Sequence, residues 1–232
     1  LGDVYKRQIQ ERLRFKEKNV FQKSFARKNL AYIVRKTEDK LNTLVYILGK
    51  VPGTAIVYVR NRKRTKEIAL MLQQAGISAD FFHAGLNRDE KELRQARWKN
   101  NECRVIVSTN AFGMGIDKPD VRLVVHMDMP GSLEEYYQEA GRGGRDEKKA
   151  FAVALCSSTD SAKLKKRLAD EFPDKEFIYR VYEALGNYYQ IAVGYGLDTV
   201  HDFSLTDFCS AYKFSLLQAH HALNCLLYTS PS

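Results

Sequence analysis

Cysteine is scarce in this chain. The four residues, Cys103, Cys156, Cys209 and Cys225, include no CxxC pair and no short Cys/His ladder, so the paired ligands that tetrahedral zinc requires are missing. Without an extracellular context they form no disulfide framework either, and buried reduced thiols are expected. Long apolar runs are also absent: nothing approaches the roughly 18 residues that cross a bilayer, and Leu1 to Gln10 lacks the apolar stretch of a signal peptide. No membrane association is expected, and the cytoplasm is the expected compartment. There is no internal repeat and no low-complexity stretch.

What is present is the balance of a soluble protein with a core, 44% hydrophobic and 28% charged residues, in a length that suits one full α/β domain and a smaller one. The net charge of +9, with a pI near 9.3, gives a positive field that attracts polyanions, and nucleic acid is the leading partner.

From Ala31 to Cys156 short β-branched runs alternate with amphipathic stretches, the pattern of a parallel sheet covered by helices. Strands are expected at Thr54 to Val59, Ala79 to His83, Arg104 to Ser108, from Arg122, and from Ala150. A helix follows the first of these, with Ile68, Leu70, Met71 and Leu72 on one face before Gly76 ends it. A charged helix is expected from Arg88 to Lys99, and another opens near Ser132, where Ser132 and Glu135 have capping-box spacing. Beyond Ser157 the pattern turns helical: Asp160 to Phe172, Lys175 to Tyr189, and a pair around Thr206 to Ala211 and Ser215 to Leu223. That last pair has helix-turn-helix form, with Leu205, Phe208, Leu216, Leu217 and Ala219 as its expected core.

The segment YYQEAGRGGRD, Tyr136 to Asp146, sets glycines between two arginines just after a helix. Glycine permits tight turns and close approach to a ligand, while each guanidinium fork fits phosphate oxygens bidentately. Upstream, STNAFGMGIDKPDVRLVVHMDMP couples the end of one strand to a small-residue loop, the acid Asp117 and a second strand. Ser108 and Thr109 fall at a strand's carboxyl end, where open α/β sheets bind ligands.

Together these segments resemble superfamily 2 helicases and, within them, the RecQ family, from about Gln22 to Asp160. FQKSFARKNL resembles the start of that family's second RecA-like domain, AIVYVRNRKR its motif IV, HAGL a family turn, STNAFGMGIDKP motif V and YYQEAGRGGRD motif VI. The resemblance implies a RecA-like parallel sheet flanked by helices. It also implies that ATP and Mg2+ are held mainly by a preceding motor domain, which this sequence lacks, and that the partner is single-stranded or forked DNA in a bacterial cytosol or nucleoid. Arg142 and Arg145 look like the arginines that approach the γ-phosphate, with Arg145 as the finger. Gln138 looks like a polar contact that couples nucleotide state to domain closure, and Gly115 and Asp117 like the motif V contacts to ATP, Asp117 at its ribose. Asn61, Arg62, His83, Ser108 and Thr109 resemble positions that track a DNA backbone.

No GxxxxGK[ST] loop occurs, and Asp89-Glu90 lacks the apolar strand that precedes a magnesium-binding acid, so the isolated chain is expected to hydrolyse ATP negligibly. The family's usual four-cysteine platform is also missing, which suggests helices passing directly into a zinc-free, winged-helix-like module. The expected organisation is a motor domain over 9–157 and a helical, partial DNA-binding region over 158–224. Residues 1–8 and 225–232 resemble translated adaptor. Two other readings remain: a helix-turn-helix DNA-binding regulator, and the motor half of an RNA helicase. YYQEAGR argues against the second of these, because the RNA-dependent relatives usually open motif VI with histidine.

Overall fold

A computed structural model describes residues 8–17, 26–112, 117–192, 194–196 and 199–229. Its centre is a six-stranded sheet in the order β1-β6-β5-β2-β4-β3, with every neighbouring pair parallel. The strands are β1 (Leu30–Lys36), β2 (Thr54–Tyr58), β3 (Ala79–Phe82), β4 (Val105–Ser108), β5 (Val121–His126) and β6 (Ala150–Cys156). The four interior strands are buried on both faces, which is why their sequences read as unbroken apolar runs. β1, at the edge, leaves Tyr32, Ile33 and Val34 exposed, so no such run marked it in the sequence.

Alternation along the strands divides the core in two. Ala55, Val57, Val105, Val107, Leu123 and Val125 face helices α1 (Lys40–Lys50) and α2 (Arg62–Gln74), which bury Leu44, Leu48, Ile68, Ala69 and Leu72 against them. Ile56, Tyr58, Ile106 and Val124 face the other way, onto Trp98 of α3 (Arg88–Lys99) and onto Phe112. Each such aliphatic side chain, fully buried, contributes roughly 1.5–3 kcal/mol. Trp98 also donates its indole N–H to the Ala55 carbonyl at 3.2 Å, tying α3 to the middle of the sheet. Helix α4 (Leu133–Ala140) lies on this second face, where Ala140 packs with Leu30, Ala150 and Ala152.

Several expectations shift. In α2 the buried face is Ile68, Ala69 and Leu72, while Leu70 is exposed, because the 100° step carries position 70 off the sheet side. Glu135 receives half of its expected capping box: its N–H donates to the Ser132 hydroxyl at 3.1 Å, but its carboxylate turns to the Gly131 N–H instead of that of Ser132. The complete box is on α3, between Asn87 and Glu90.

The helical region comprises α5 (Asp160–Glu171), α6 (Lys175–Tyr188), α7 (Leu205–Tyr212) and α8 (Leu216–Thr229). No strand occurs among its described residues, so the winged-helix expectation is met only in its helices. Its core is Val181, Ala184, Phe208, Cys209, Ala219 and Ala222. Leu216 and Leu217 are half exposed instead of buried; they sit at the first turn of α8, before its inward face engages. Helix α8 runs to Thr229, through residues expected to stand outside the fold, and Leu226 packs against the core. Among the ties that join this region to the rest of the chain, Lys40 bridges the Met127 carbonyl and the Asp160 carboxylate, each at 2.6 Å, and Arg167 donates to the carbonyls of Met129 and Pro130.

Candidate nucleotide and nucleic-acid interface

At the carboxyl ends of β2 and β3 stand three of the residues that the sequence assigns to a nucleic-acid backbone. Asn61 caps α2, its side-chain oxygen accepting the Lys63 N–H at 2.8 Å. Arg62 and His83 line an open cleft of about 370 Å³ with Lys63, Lys66, Glu67 and Leu70. Burial first, then the nearby guanidiniums of Arg62 and Arg94, hold His83 below the usual imidazole range. It is therefore neutral at pH 7, and the positive charge of the cleft comes from Arg62, Lys63 and Lys66.

Ser108 and Thr109 are placed differently. Ser108 is fully buried, and its hydroxyl reaches the carbonyls of Phe82 at 2.9 Å and Thr109 at 2.7 Å. Thr109 is buried as well. In this fold the pair joins the ends of β3 and β4 and offers no open hydroxyl from Ser108. The exposed polar group at this strand end is Asn110, which sequence reading passed over; it donates to Glu135 of α4 at 3.0 Å.

The arginine loop lies elsewhere, on the α3/α4 face. After α4 the chain folds back onto the starts of β5 and β6, with the Gly144 N–H donating to the Val121 carbonyl at 2.8 Å. This brings the loop beside Asp117, and the Arg145 guanidinium pairs with the Asp117 carboxylate at 2.8 Å. Two residues 28 positions apart, assigned to one nucleotide on separate motifs, thus meet. Arg142 and Arg145 together line a small cavity with Ile56, Trp98, Phe112, Lys118 and Val121. Lys118 fixes the Asp117 segment from below: buried, it donates to the Lys99 carbonyl at 3.0 Å and to Asn101 at 2.9 Å, and pairs with Asp120 at 3.1 Å. Gln138 is exposed on α4, apart from the buried end of that helix, and Gly115 lies outside the described residues.

Beneath Arg142 is a polar group that sequence reading missed. Tyr58 is buried, its hydroxyl donates to the Phe112 carbonyl at 3.2 Å and engages Arg142, and burial holds the phenol far above its usual pKa. Its ring stacks on His126 with centroids 5.4 Å apart, and His126 Nε2 meets the Glu139 carboxylate at 2.9 Å with both residues buried. One signal was available: His126 is a polar residue closing the apolar run Leu123 to Val125, and Glu139 directly precedes AGR.

This architecture, a parallel sheet with an arginine loop after one helix and an acid in the loop preceding its neighbouring strand, is that of a helicase motor domain. Residues 39–147 match the family described as helicase conserved C-terminal domain. The chain is 40% identical over 163 residues to the RecQ-like DNA helicase blm-1 of Caenorhabditis elegans, covering 69% of this chain and 16% of that protein. It is 37% identical over 183 residues to the ATP-dependent DNA helicase RecQ of Pasteurella multocida, covering 78% of this chain and 29% of that protein. Among solved structures it is similar to the Escherichia coli DEAD-box protein SrmB bound to regulator of ribonuclease activity A, with a TM-score of 0.54 and 31% identity over 61% of this chain and 85% of that one. The chain belongs to the RecQ family of superfamily 2 helicases and carries its C-terminal RecA-like domain. It spans less than a third of the length of either curated relative.

Proposed function

We propose that this chain is the C-terminal motor half of an ATP-dependent RecQ-like DNA helicase, supplying an arginine finger and contacts to single-stranded DNA. The observation that carries the reading is the Arg145–Asp117 pair beside Arg142. Two guanidiniums and an exposed carboxylate are the donor set for a nucleotide's phosphates and ribose: the arginines fit the first, and Asp117 can accept a hydrogen bond from the second. Bound ATP supplies the phosphoanhydride whose cleavage drives the motor. The chain's share is electrostatic. Arg145 exchanges the Asp117 carboxylate for phosphate oxygens, and Arg142, backed by Tyr58, adds a second positive charge where negative charge develops. Mg2+ would be held by the preceding motor domain, as the resemblance to the family implies. At the opposite strand ends, Asn61, Arg62, Lys63, Lys66 and Asn110 would follow the DNA backbone, with Ser108 and Thr109 shaping that edge from inside.

The test is reconstitution: a RecQ-like first motor domain, tethered to this chain, assayed for ATP hydrolysis stimulated by single-stranded DNA. Turnover that drops on the order of 10³-fold in Arg145→Ala supports the reading. DNA binding with no arginine-dependent turnover would replace the motor with a binding module, and preference for RNA in competition would move it to an RNA motor.

A further inference from the structure

The backbone of the arginine loop is held from one side by two residues 114 to 119 positions earlier in the chain. Arg27 donates to the carbonyls of Gly141 at 3.3 Å, Gly143 at 2.9 Å and Gly144 at 2.5 Å. Asn29 donates to the carbonyls of Gly144 at 2.7 Å and Lys148 at 2.9 Å. Arg27 Nε also donates to the Asn29 side-chain oxygen at 3.3 Å, so the two act as one unit. The backbone completes the clasp, the Ala150 N–H donating to the Asn29 carbonyl at 2.9 Å.

We infer that Arg27 and Asn29 are positioning residues for the arginine finger: they fix the carbonyl path of residues 141–148 and thereby the direction in which Arg142 and Arg145 project. This rests on the finger role proposed above. The chemistry is selective. A guanidinium fork reaches three carbonyls at fixed angles, whereas an ammonium is a compact charge on a flexible stem. A carboxamide NH2 can serve two carbonyls, whereas a carboxylate of the same size offers only acceptors and faces both oxygens with like charge.

Arg27→Lys keeps the charge and Asn29→Asp the size, and each removes the donors with which the clasp holds the loop. In the tethered pair each lowers kcat at least tenfold, changes KM for ATP less than threefold, and leaves single-stranded-DNA affinity within twofold. Added to the double variant Arg142→Ala/Arg145→Ala, neither lowers the residual turnover further, because both act through those two residues. In this chain alone, amide exchange at Gly144 and Arg145 quickens at least tenfold while amides of β2 and β5 keep their protection, which separates a loosened loop from an unfolded domain. Turnover near that of the parent where Arg145→Ala is inactive, or a further loss on top of Arg142→Ala/Arg145→Ala, would overturn the inference. If Arg145→Ala itself leaves turnover unchanged, the motor reading falls, and unchanged exchange at Gly144 would sink the clasp independently.

Discussion

Gly144 sits at φ +59°, and a Cβ there would lie 2.7 Å from both Asn29 Nδ2 and the Lys148 carbonyl and 2.9 Å from Ala150 Cβ. Its backbone twist disfavours any L side chain, and its neighbours are backbone and a paired amide that cannot give way. Gly144→Ala should therefore cost about 3 kcal/mol, read as a fall in urea midpoint at unchanged m-value. At the same scale, Glu139→Ala leaves His126 buried opposite nothing and should cost about 3 kcal/mol. Glu139→Gln, which keeps a hydrogen-bonding partner for His126, should cost well under half of that by the same measurement. GRGGR announced the need for glycine in the sequence. The Glu139 partner was not legible, because a strand histidine and a helix glutamate 13 residues apart meet only once α4 has folded back across β5.

Elements with a period of their own were readable: β2, β4, β5 and β6, α2 and α3 were all expected within a residue or two of their observed ends. β1 and α1 were not. The first is an edge strand exposed along most of its length, and the second is short, with its apolar positions divided between core and solvent. The tie that seats α1 is the Lys40–Asp160 bridge, a contact 120 positions apart. Burial alone would raise the Asp160 carboxyl, but hydrogen bonds from Lys40 and the Ser157 amide outweigh it and hold the group below the usual carboxylate range. A folded-state pKa below the unfolded one means that the bridge stabilises fully above about pH 4 and fades as pH falls through the folded value. Asp160→Asn should therefore lower the melting temperature at pH 7, and the gap to the parent chain should close near pH 2.

Across the whole molecule the two candidate sites occupy different ends of one sheet, and helix α4 joins them: Glu135 at its start holds Asn110, and Glu139 at its end holds His126 beneath Tyr58 and Arg142. The sequence carried both sites as motifs, but not this separation, which depends on which loops leave the amino and carboxyl ends of the strands. The excess of nine positive charges gives no selectivity by itself; what it sets is salt dependence. If Arg62, Lys63 and Lys66 each neutralise one phosphate of a single strand, the logarithm of affinity should fall with the logarithm of salt at a slope of about −2, a loss of roughly 20-fold between 50 and 200 mM. Fluorescence anisotropy with a labelled oligonucleotide would measure it. Replacing Lys63 and Lys66 together with glutamine should cut that slope to about −0.7 while leaving arginine-dependent turnover in the tethered pair intact at saturating DNA. A slope indifferent to those lysines would move the DNA path off the β2 and β3 ends.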